Sequence, residues 1–119
     1  MLNNITLMGR LTRDPELRYT QNNTEVANFA LAVDRDLGEK KTDFIECVAW
    51  RKTAEFIEKH FHKGDMIAVI GRLQMREWTD KDGNKRRASE VVADNVYFCG
   101  GKKETSGFSE MLGDEEVPF

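Results

Sequence analysis

The chain lacks any stretch near the roughly 20 consecutive apolar residues that a membrane-spanning helix needs. Its opening, Met1-Leu2-Asn3-Asn4, has neither a basic n-region nor an apolar signal core. Both absences point to the cytoplasm. Cysteine is limited to Cys47 and Cys99, whose spacing matches no zinc pattern and fits reduced, buried thiols better than a disulfide framework. Histidine is limited to His60 and His62. Two positions apart on a helix they diverge, and no Cys or carboxylate spacing completes a site, so no metal is expected. There is no glycine-rich phosphate loop and no nucleophile motif. Asp80, Asp82 and Asn84 begin like a calcium loop, but Lys85 and Val91 stand where Gly and Glu are required. Neither catalytic residues nor a cofactor are expected, and an enzyme is the weaker class.

A positive excess is missing as well. The net charge of −3 argues at first against a nucleic-acid partner. Its distribution changes that inference: residues 1–101 hold 16 Lys and Arg against 16 Asp and Glu, whereas residues 102–119 hold 2 against 5. The body is neutral and the end is acidic. A domain over residues 1–101 is large enough to bury a modest core. Residues 102–119 have no sustained apolar period and are expected to be a disordered linker and tip.

The body alternates between apolar and polar with a period of two, the mark of strands. Residues 4–11 place Ile5, Leu7 and Gly9 on one face, and a proline turn follows at Pro15. A brief extended piece covers residues 17–20. Residues 26–33 point Ala27, Phe29, Leu31 and Val33 inward. Residues 43–51 form a third strand, with Ile45, Cys47 and Ala49 on the compact core side and Phe44, Glu46, Val48 and Trp50 on the other. From about Thr53 the period turns helical, with Ala54, Ile57 and Phe61 on one stripe and Gly64 as a stop. Residues 66–78 make the longest strand, placing Leu73 and Met75 with the core and Arg72, Gln74, Arg76 and Trp78 opposite. Asp82-Gly83 signals a hairpin. With those two as the turn residues, Arg87 falls opposite Trp78. Residues 85–92 return, and residues 95–99 give a last short segment. Five strands with one helix between the third and fourth is the order of an OB-fold, an all-β Greek-key barrel.

The outward residues carry the functional signal. Phe44, Trp50 and Trp78 are large rings on a side where a half-exposed sheet normally shows small polar groups, and Glu46 among them favours solvent, since an unpaired buried carboxylate is costly. Basic groups interleaved with exposed rings suit single-stranded nucleic acid, because the cations track phosphates and bases stack on the rings. The competing account has Trp78 capping the barrel and the arginines forming a solvated face. Two other classes remain open: an OB-fold adaptor whose rings anchor a protein partner, and a metal-dependent nuclease.

Residues 3–19, with Gly9-Arg10-Leu11 and Arg13-Asp14-Pro15-Glu16-Leu17-Arg18-Tyr19, closely resemble the opening of bacterial single-stranded DNA-binding proteins. The resemblance continues through residues 26–33, Trp50-Arg51-Lys52, Lys63-Gly64 and Gly71-Arg72-Leu73, and ends in an acidic tip. It implies a homotetramer of OB domains that coats single-stranded DNA without sequence preference in replication, recombination and repair, in the cytoplasm with the nucleoid. It implies stacking by Phe44, Trp50 and Trp78. Arg10, Lys52, Lys63, Arg72, Arg76 and Arg87 are the expected phosphate contacts. Asp114, Glu115, Glu116, Val117, Pro118 and Phe119 would recruit partner proteins. Departures are Leu37, near which many relatives carry another Trp, Glu77 where a basic residue is common, Val117 in place of Ile, and a linker like that of short-tailed members.

Overall fold

Each period-two run presents a row of N–H and C=O groups that a neighbouring strand must satisfy, and here the rows close on themselves. The computed structural model describes residues 1–38 and 40–99; the acidic segment and its tip at 114–119 lie outside them. The elements are β1 Ile5–Leu11, β2 Glu16–Tyr19, β3 Glu25–Asp34, β4 Thr42–Trp50, α1 Arg51–His60, β5 Met66–Thr79 and β6 Lys85–Phe98. They lie in the order β1-β5-β6-β4-β3-β2, and β1 closes the sheet by pairing Arg10 with Ala32 and Leu11 with Leu31 on β3. All pairings are antiparallel except β4 with β6. The inward alternation then converges: Leu11, Phe29, Leu31, Cys47, Ile67, Val69 and Val91 are buried together, and the helical stripe of Ala54, Ile57 and Phe61 completes the core. This is the expected all-β barrel with one helix, placed after the third of the five long strands.

Four details differ from expectation. The brief extended piece is a strand of its own, β2, because residues 16–19 pair with residues 25–28 of β3. The last two segments are one strand, β6, which stays paired with β5 through a register shift between Ile70 and Gly71. The helix starts at Arg51 and ends at His60, short of Gly64, because Phe61 turns extended to reach the core. Gly64 instead donates its N–H to the Leu11 carbonyl. Leu73 and Met75 are about half exposed, since the outer β5–β6 hairpin runs past the edge of the barrel and carries its inner face away from the core.

The hairpin register also corrects one site residue. Gly83 takes a left-handed φ of 84° and its N–H reaches the Asp80 carbonyl, while the Asp80 N–H bonds the Asn84 carbonyl. The loop therefore has three residues, with glycine at the left-handed position, and not two. Trp78 pairs with Arg86, and Arg87 pairs with Glu77. A slip of one residue moves a side chain to the other face, so Arg87 does not share the face of Trp78. The Asp80 carboxylate holds this loop by accepting from the N–H groups of Asp82 and Asn84 and from Arg86. The Asn84 N–H foremost, then Arg86, keeps its pKa below the ordinary value. Both cysteines are free, and burial pushes the Cys47 thiol up to about 12.

Candidate nucleic-acid interface

The outer surface has an apolar floor that alternation alone would make polar. Val26, Val48 and Val92, from β3, β4 and β6, bury one another. Rows of paired residues run out from them. Val26 stands between Trp50 and Arg18, and Val48 joins Val92 to Asn28, which extends the row from Arg72 on β5 to Glu16 on β2. Above this floor lies an open groove of about 520 Å³ whose lining includes Arg13, Arg18, Glu46, Trp50, Arg76 and Glu90.

Trp50 ends β4 and stands at the start of α1. Arg51 takes a left-handed φ of 57°, an uncommon conformation for a side chain of this size, and the chain passes from strand to helix with no intervening loop. The ring stays on the outer face, 42% exposed. Beside it Lys52 lines a second, open cleft with Glu25 and Glu55. Those carboxyls share a hydrogen bond that lowers the pKa of Glu25 and raises that of Glu55.

The face of β5 is linked side chain to side chain. Arg72 Nη1 donates to Gln74 Oε1 at 3.1 Å, and Gln74 Nε2 donates to Glu90 Oε2 at 3.0 Å. Arg76 Nε lies 3.5 Å from Glu90 Oε1, and its guanidinium carbon sits 4.6 Å from the centroid of the Trp78 ring. That distance is a cation–π contact. Trp78 is 40% exposed, and at the hairpin tip it lines a cleft with Lys85, Arg86 and Arg87.

Phe44, Ala32 and Arg10 make a third row, with Phe44 72% exposed. Arg10 donates to the Gly64 carbonyl at 3.0 Å, next to Lys63, whose N–H is held by Asp14. The fold thus brings Trp50 and Arg76 into one groove, links Arg72 to it through Gln74 and Glu90 and Trp78 through Arg76, sets Lys52 beside Trp50, and places Arg10 and Phe44 in one row across Ala32. It leaves Arg87 on the far face of the arm.

Sequence reasoning missed Arg13, Arg18 and Arg86. Arg18 and Arg86 were within reach of it, the first by alternation along β2 and the second by a hairpin register one residue different. Arg13 has no local signal, because it reaches Glu46 across 33 positions of sequence, with 3.2 Å between them. Other cations are held similarly: Arg86 by Asp80 at 2.8 Å, and Arg35 by both oxygens of Asp43. Arg35 and Asp43 stabilise each other's charge, raising one pKa and lowering the other.

Exposed rings beside oriented guanidinium groups offer flat surfaces for bases and donors for phosphate oxygens. Comparison with known sequences agrees with that chemistry. Residues 2–99 match the single-strand binding protein family. The chain is 44% identical to the single-stranded DNA-binding protein of Oceanobacillus iheyensis, over 92% of its own length and 74% of the relative's. Against the protein of the same name from Caldanaerobacter subterraneus it is 46% identical, over 98% and 78%. It is 44% identical to single-stranded DNA-binding protein A of Bacillus subtilis, over 92% and 69%. With nearly the whole body matched, the barrel and its ring-bearing outer face are those of a family, and the chain belongs to the single-strand binding protein family.

Proposed function

We propose that this protein is a non-catalytic coat for single-stranded DNA, acting in replication, recombination and repair in the cytoplasm, on the nucleoid. The observation that carries this is the groove in which Trp50 and Arg76 meet over an apolar floor. Trp50, Trp78 and Phe44 stack bases, each worth roughly 1–3 kcal/mol, and every base has a π-face, so no sequence is selected. Arg10, Lys52, Lys63, Arg72 and Arg76 contact phosphates, joined by Arg13, Arg18 and Arg86. Arg87 serves only where the strand rounds the hairpin tip beside Trp78.

The test is tryptophan fluorescence titrated with oligothymidine at two salt concentrations. Saturable quenching is expected, with log affinity falling against log salt by about 0.7 per phosphate contacted. Absence of quenching at low salt would refute stacking on this face.

We assign the working form to a homotetramer. Among the described residues β1 meets β3 only at Arg10 and Leu11, so one edge of residues 5–9 presents unpaired backbone groups, a template for another strand. Met8 on β1, Ile70 on β5 and Tyr97 on β6 are exposed on the outer face of neighbouring strands and add apolar surface for a second copy to cover. Sedimentation equilibrium checks this, and a monomer across the working concentration range would contradict it. The body at 1–101 carries the DNA site, and residues 102–119 serve as linker and as the tip that recruits replication, recombination and repair proteins. The end of the family match at residue 99 supports that division.

A further inference from the structure

Taking a carboxylate away from a surface that binds a polyanion should tighten binding, by simple charge. Three glutamates, Glu16, Glu46 and Glu90, line the groove, and their surroundings set the last two apart. Glu46 is open: its side chain is 61% exposed, and it meets the half-exposed Arg13 through one contact. Phosphate can replace it there at little cost.

Glu90 is embedded, with its side chain 14% exposed. Both of its oxygens are used, Oε2 by the Gln74 amide and Oε1 by Arg76 Nε. Gln74 in turn holds Arg72, and Arg76 lies over Trp78. One carboxylate on β6 therefore orders four side chains on β5. Two of them are arginines, whose long stems otherwise sample many rotamers and lose that freedom when they bind. Glu90 meets Arg76 through Nε, so both Nη groups remain to donate to phosphate.

We infer that Glu90 is a positioning residue for DNA: its carboxylate pre-sets Arg72, Arg76 and Trp78, so that its loss weakens binding although it removes a negative charge. This rests on the proposal that the face binds single-stranded DNA. The sign of the effect separates positioning from charge, and Glu46 supplies the comparison.

The experiment measures oligothymidine affinity by tryptophan quenching at fixed low salt for the parent protein, Glu46→Gln, Glu90→Gln, Arg76→Ala and the double variant Glu90→Gln with Arg76→Ala. Glu46→Gln is expected to bind more tightly than the parent. Glu90→Gln is expected to bind about tenfold more weakly, equivalent to about 1.4 kcal/mol. Arg76→Ala should cost much less in the Glu90→Gln background than alone, because the arginine is already unplaced. Tighter or unchanged binding by Glu90→Gln would overturn the inference. So would a cycle in which the two losses simply add, since a general loss of structure lowers affinity by the same factor with or without Arg76. No binding by the parent protein would remove the DNA proposal itself, a result distinct from these.

Discussion

Gly71 sits where β5 and β6 shift register, and a Cβ built on it would lie 1.9 Å from the Val92 carbonyl oxygen. The obstacle is backbone, which cannot rotate aside like a side chain. Val92 is also one of the three valines under the groove, so the strain would fall on the floor of the binding face. Gly71→Ala is therefore expected to destabilise the fold by roughly 3 kcal/mol, at the upper end for overpacking, read as a lower urea midpoint with an unchanged slope. An unchanged midpoint would mean that the two strands can part here freely. A glycine inside a strand pattern signals a bulge or a close backbone approach, but not which backbone comes close. Its role depends on a partner 21 positions away.

At the scale of elements, the long runs were readable and their joins were not. Alternation identified the core side of β3, where Ala27, Phe29 and Leu31 are fully buried, because burial on that side repeats every second residue. It failed for Leu73 and Met75 since the period says which face a residue takes, not whether anything covers that face. The hairpin shows the same limit. Asp82-Gly83 correctly signalled a turn, but the Asp80 carboxylate, capping two N–H groups, favours a loop one residue longer. That single residue decided whether Arg86 or Arg87 stands beside Trp78. Of the candidate site, the rings and β5 cations followed from alternation. Arg13 and the link through Glu90 did not, because both are cross-strand contacts between residues far apart in sequence.

At the scale of the whole molecule, charge is spread unevenly along the sequence. The body balances 16 cations with 16 anions, and several arginines on or near the outer face are held by carboxylates. Such a surface has little long-range pull on DNA, so binding depends on contacts made at close range. The acidic end carries the whole excess of negative charge, and in the proposed division it competes with phosphate for the same cations. Deleting residues 114–119 removes three carboxylates and brings the formal net charge from −3 to zero. Because the proposed stacking and phosphate groups all lie within the described body, affinity for oligothymidine should hold or rise on deletion. Any rise should be largest at low salt, where screening between tail and body is weakest. Titration of the full-length and shortened proteins at two salt concentrations decides this. A gain confined to low salt would place the tail in electrostatic competition with DNA, and equal affinity would leave it to partner recruitment alone. A loss would mean that the tip belongs to the DNA site, contrary to the division proposed between body and tail.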